Sequence, residues 1–137
     1  MRDFTFATGA MGYGDAEAVY MLGRSILEFG GGLSGAGLCA YIPEMYFEDW
    51  QQAAGEMKGA GVALKMYRAG EKDLAFDYAF KVRAALAAEQ DIQKGTVAWL
   101  DRHALVTGCC ADLLLAPWEQ FAYRPMNIRN IGCLYGE

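Results

Sequence analysis

Arg24-Ser25-Ile26-Leu27-Glu28-Phe29-Gly30-Gly31-Gly32-Leu33-Ser34-Gly35-Ala36-Gly37-Leu38 is the stretch on which the reading of this chain turns. A short apolar run carrying one acid enters a row of three glycines, with two more at 35 and 37. Two local structures fit. In the first, residues 26–29 are a buried strand, the glycines a tight turn and Leu33 the start of a helix. Without Cβ atoms, Gly30, Gly31 and Gly32 would let the backbone take positive φ and lie against a ligand. The amide N–H groups opening the next helix would then face a carboxylate or phosphate. Gly30, Gly32 and Gly35 also meet the G-x-G-x-x-G spacing of dinucleotide-type folds. In the second, residues 15–29 are one amphipathic helix with Val19, Leu22, Ile26 and Phe29 on one face, and Gly30 is its C-cap.

The whole chain narrows the classes. Its 137 residues fit a single domain, 1–137, with room for a real core. Hydrophobic residues at 54% and charged residues at 21% describe a globular chain rather than a disordered one. A net charge of −5, with 12 basic residues scattered along the chain, argues against nucleic acid as the main partner. The start, Met1-Arg2-Asp3-Phe4, has no signal-peptide pattern, and the longest apolar run, 104–116, is too short for a membrane span and contains Asp112. The expectation is a soluble, cytoplasmic protein with no membrane partner. Cys39, Cys109, Cys110 and Cys133 form no C-x-x-C pair, and His103 is the only histidine, so buried reduced thiols and no metal site are expected.

In chain order, Phe4 and Phe6 alternate with polar neighbours as in a short strand or ordered arm, and residues 8–14 read as a flexible glycine loop. Asp15 caps a helix that runs to about Leu22, and Gly23 interrupts its periodicity. Residues 33–42 read as a helix stopped by Pro43. Residues 45–47 are a strand or the first turn of a helix, followed by Glu48 and Asp49, and residues 50–58 are helical. Residues 62–67 read as a buried strand, 73–77 as an apolar segment acidic at both ends, 80–93 as a long helix, and 94–101 as a glycine turn and strand ending in Asp101. Trp50, Trp99 and Trp118 are assigned to the core. A last strand is placed at 128–135.

Helix–strand alternation with short connections implies a parallel sheet covered on both faces. Ligands of such sheets bind at the carboxyl ends of the strands, beside the switch in strand order. Acids following the proposed strands, at Glu48, Asp77 and Asp101, would line that crevice. This repetition favours the strand at 26–29. The expected fold is α/β, with a Rossmann-like, mostly parallel sheet and helices on both faces; a mostly α fold is the alternative.

The residues then resemble class I S-adenosylmethionine-dependent methyltransferases. Residues 25–34 look like that family's first motif, 73–77 like its fourth-strand motif and 94–101 like its fifth-strand segment. The resemblance covers about residues 15–101. It implies that Gly30, Gly31 and Gly32, with Ser34, lie against the cofactor, that Glu28 orients this loop or meets the cofactor's amine, and that Glu48 or Asp49 binds the ribose hydroxyls. Asp77 would sit near the transferable methyl. Ser34 stands where many members have glycine, the motifs are closely packed, and the chain is short for the family.

Methyl transfer needs positioning and a proton acceptor rather than a covalent intermediate. Asp77 and His103 are the candidate catalytic residues, with helix capping or a plain surface position as their structural alternatives. The functional expectation is an S-adenosylmethionine-binding protein that methylates a small-molecule acceptor, with homo-oligomerisation left open. Its rival is a non-enzymatic, mostly helical interaction protein, such as a small inhibitor or assembly factor.

Overall fold

The computed structural model describes residues 3–76 and 78–122. Asp77 and the strand expected at 128–135 lie outside the described residues. Four strands form one sheet in the order β3-β2-β1-β4: β1 is Phe4–Gly9, β2 Leu38–Pro43, β3 Val62–Tyr67 and β4 Thr96–Trp99. Every neighbouring pair is parallel, with Phe6 opposite Leu38 and Ala98, and Leu38 opposite Val62. The expected α/β fold with a parallel sheet is therefore what the chain adopts, and the mostly α alternative is overturned.

The segment 26–29 is not a strand. Helix α1 runs Ala16–Phe29, and Gly30 caps it by donating its N–H to the Ile26 carbonyl at 2.8 Å. The amphipathic stripe explains this: Val19, Leu22 and Ile26, one turn apart, are all buried against the sheet. Gly23 does not break the helix. A Cβ there would lie 2.5 Å from Val62 Cγ2 and 2.6 Å from the Ala60 carbonyl oxygen, so glycine lets α1 approach the start of β3.

The expected helix at 33–42 is instead a 3-10 turn, Gly31–Leu33, followed by β2. Leu38, Ala40 and Ile42 face one core while Cys39 and Tyr41 face the other, a period of two imposed by pairing with β1 and β3. Met45, Tyr46 and Phe47 belong to helix α2, Glu44–Gln51, with Pro43 at its N-cap. Helix α3, Ala54–Gly59, follows at once. Residues 73–76 form no strand: Asp73 and Leu74 end a 3-10 turn, Glu71–Leu74, and a bend follows at 75–76. Helix α4 is Ala79–Asp91.

The sheet is wound in two directions. The larger core contains β1, β2 and β3 side chains packed with α1, α2 and α3, including Phe6, Val19, Ile26, Ile42, Trp50 and Met57. The other face carries a smaller core of Ala7, Tyr41, Tyr67, Ala84 and Ala88, with α4 lying across β1 and β2. To reach β4, the chain carries α4 from one edge of the sheet to the other. The order of strands thus reverses at β1, between β2 and β4. Trp50 is fully buried as expected, Trp99 is partly buried, and Trp118 is exposed at 82%, against its assignment to the core. Among the described residues, no helix is long and apolar enough to cross a membrane.

Candidate functional site

Because β1 and β4 are parallel neighbours at the reversal, their carboxyl ends open a crevice between the connections that follow them. The β1 connection is Ala10-Met11-Gly12-Tyr13-Gly14-Asp15, entering α1 through a 3-10 turn at Tyr13–Asp15. The β4 connection carries Asp101, Arg102 and His103. A cleft of about 490 Å³ lies here. Met11, Leu74, Phe76, Tyr78 and Phe80 give it an apolar and aromatic wall; Lys81, Arg102 and His103 give it polar groups. That size is within the range of small-molecule sites.

Each connection is held by an acid. Asp15 Oδ2 accepts the Met11 N–H at 2.9 Å, and its Oδ1 lies 2.9 Å from Arg102 Nε. This is the most buried ion pair among the described residues, its side chains 16% and 18% exposed. The Nε–H is directed off the line to the carboxylate, so the contact is ionic rather than a formed hydrogen bond. Arg102 also lies over the Phe80 ring, 4.9 Å from its centroid. Asp15 was expected to cap α1; its carboxylate makes no cap bond and closes the loop instead. The loop is anchored from beneath by Trp50, whose Nε1–H donates to the Met11 carbonyl at 3.0 Å.

Asp101 accepts the Lys81 ammonium on Oδ2 and the His103 backbone N–H on Oδ1, the latter at 3.0 Å. Burial pushes its carboxyl up, but the Lys81 and His103 hydrogen bonds and the charges of Lys81 and Arg102 outweigh it and hold the group below its ordinary value. Asp101 therefore stays ionised and fixes the backbone of the His103 turn. Lys81 also lies 4.9 Å from the Tyr78 ring centroid. Tyr78, just ahead of α4, has φ of 73°, the single positive value at a non-glycine residue among those described. Such a conformation costs on the order of 1–3 kcal/mol and is a recurring feature of ligand sites. It turns an exposed ring toward the cleft mouth.

The expected site residues divide sharply. His103 lines this cleft. Glu28 lies on the last turn of α1, exposed, its oxygen 2.5 Å from Arg24 Nη2. Gly30, Gly31, Gly32 and Ser34 are at the opposite, amino-terminal edge, since the Gly37 carbonyl and Leu38 that follow them meet Phe6 near the start of β1. Within this turn Leu33 N–H donates to the Gly30 carbonyl and Ser34 N–H to that of Gly31, each at 3.1 Å. Glu48 and Asp49 are exposed on α2 and line neither this cleft nor the smaller one beside Tyr13 and Glu56. The fold does not bring these residues together with His103, and Asp77 lies outside the described residues.

Sequence reasoning missed Lys81 and Arg102, the place of the 10–15 connection beside the cleft, and Glu44, the acid immediately after β2. The signal for the loop was present: an aromatic alternating strand, then glycines 9, 12 and 14, then Asp15 and a helix. Compared with known protein families, with characterised proteins and with solved structures, the chain gives no match.

Proposed function

We propose that this chain is a cytoplasmic small-molecule-binding α/β protein that takes S-adenosylmethionine at the carboxyl edge of its sheet and methylates a small acceptor. The observation that supports this most is the cleft at the strand-order reversal, which combines an aromatic wall, two cations and the single histidine in one 490 Å³ space. The residues present suit the ligand chemically. Phe76 and Tyr78 offer exposed ring faces for an adenine and for a sulfonium. Lys81 and Arg102 offer positive charge to an amino-acid carboxylate. Glu44, exposed at the end of β2, is placed as the ribose-binding acid of related sheets is placed.

The bound cofactor would supply the electrophilic methyl group; the chain's own part is orientation and proton transfer. Asp101 fixes the His103 backbone, and the His103 imidazole at the cleft wall would take the proton that the acceptor loses. The Asp15–Arg102 contact ties the β1 and β4 connections together, so the two sides of the cleft hold their spacing.

Calorimetric titration with S-adenosylmethionine and with its demethylated product tests the reading. Binding with thermal stabilisation is expected, since ligand at about a hundredfold above Kd adds close to 3 kcal/mol. No heat and no stabilisation at millimolar ligand would sink it.

A further inference from the structure

We infer that Arg102, held from behind by Asp15, is the anion-recognising residue of the cleft, and that the ligand carries a carboxylate or phosphate beside an aromatic ring. This rests on the reading that the cleft at the β1–β4 reversal binds a small molecule. It does not require that the molecule be an adenosine compound.

A guanidinium has five N–H donors and is always charged. The Arg102 side chain is only 16% exposed, yet its one salt bridge among the described residues is to Asp15, reached through Nε. Its terminal nitrogens make no hydrogen bond among the described residues, and the Nε–H itself is off-line. A guanidinium N–H that is buried with no acceptor is unusual, because desolvated donors are ordinarily hydrogen-bonded. Arg102 is a wall of the cleft, and its guanidinium carbon lies 4.9 Å from the Phe80 ring centroid. A guanidinium can offer an oxyacid two parallel N–H···O bonds, which a lysine at the same place would not supply.

The neighbours reinforce the sign. Lys81 and His103 line the same cleft, while two acids among the described residues nearby, Asp15 and Asp101, are turned to the cations and to backbone N–H groups of Met11 and His103. The remaining wall is apolar or aromatic: Met11, Leu74, Phe76, Tyr78 and Phe80. An acidic group at Arg102 therefore comes with a planar apolar body lying against Phe76 and Tyr78.

The test uses matched probes that differ in charge: benzoate, phenyl phosphate and benzyl alcohol, followed by amide and arginine Nε–Hε NMR shifts of the whole chain. Benzoate or phenyl phosphate should shift the Arg102 Nε–Hε signal and bind about tenfold or more tighter than benzyl alcohol. Whichever anion binds tighter separates a carboxylate ligand from a phosphate ligand. Arg102→Gln should remove the preference, and Arg102→Lys should keep only part of it. Because Arg102→Gln leaves Asp15 without its cation, the double variant Asp15→Asn with Arg102→Gln serves as the folded control and should likewise show no preference. Equal affinity for benzyl alcohol and the two anions, or a preference that survives the double variant, overturns the inference. If the anions bind through Arg102 while S-adenosylmethionine and its product do not, the cofactor reading fails and this one stands. If those compounds bind but the anion preference is missing, the reverse holds.

Discussion

Residues 10–15 and residues 30–37 both carry glycines, both border α1, and lie at opposite ends of the same sheet. The first follows β1 and carries the chain from the carboxyl edge into the start of α1. The second leaves the end of α1 and returns the chain to the amino edge at β2. In the second turn, glycine serves the backbone: Gly31 and Gly37 have φ of 61° and 76°, and the turn's N–H groups close on its own carbonyls. In the first, a Cβ on Gly12 or Gly14 would meet nothing within 4 Å, and side chains from elsewhere hold the loop in place. Local composition is shared, but chain direction decides which turn can face a ligand.

The sharpest way to break this comparison is through the acids attached to each turn. Asp15→Ala leaves Arg102 buried without its carboxylate and frees Met11 N–H, and should cost about 3 kcal/mol in urea unfolding. Glu28→Ala removes one half of an exposed pair whose side chains are 43% and 51% exposed, and should change stability by no more than about 0.5 kcal/mol. Equal losses would show that the β1 loop is not clasped as described.

A second contrast uses the glycines themselves. A Cβ at Gly30 would lie 2.5 Å from the Ile26 carbonyl oxygen and 3.1 Å from Ser34 backbone atoms. Gly30→Ala should therefore destabilise by about 2 kcal/mol while leaving affinity for any cleft ligand unchanged.

The cleft wall itself is tethered from β3. Tyr67, at the carboxyl end of that strand, donates its hydroxyl to the Phe80 carbonyl at 3.3 Å. Burial pushes its phenol up to about 12 from an ordinary 10.0, with Arg83 pulling weakly the other way. Unfolded, the phenol ionises near 10.0; folded, it keeps its proton to about 12. Between those values the unfolded state binds fewer protons, so stability is full below pH 10.0 and falls as pH rises toward about 12. The loss should be on the order of 2 kcal/mol across that window. Tyr67→Phe should flatten the profile without levelling it, because burial and the hydrogen bond to Asp91 also raise Tyr41. Stability measured from pH 9 to 12 checks both statements.

The smallest effect belongs to Gly12→Ala. With open space around the added methyl and an ordinary φ of −72°, it should alter stability by no more than about 0.5 kcal/mol. If bare main chain at Gly12 faces the ligand, the same change should nevertheless weaken binding.

How far the sequence discloses this molecule follows from where each signal lives. Residues 62–67 were legible with their observed bounds because a mostly apolar run sits between glycines and a turn, although only Val62 and Tyr67 of this edge strand are buried. The expected helix at 80–93 and the observed Ala79–Asp91 differ only at the ends. Residues 38–42 misled because Leu, Ala and Cys carry no local strand preference; pairing with β1 and β3 sets their conformation. Gly23 looked like an interruption because its neighbour Val62 is remote in sequence. Of the cleft, His103 was legible from its place after Asp101 at a strand end. Lys81 and Arg102 were not, since they read as ordinary surface charges until α4 crosses the sheet and sets them beside Asp101 and Asp15.

The account is tested most directly by mapping amide shifts of the whole chain while S-adenosylmethionine is added. It predicts that the changes concentrate at residues 11–15, 78–81 and 101–103. Changes confined to residues 28–34, or none at millimolar ligand, would contradict it.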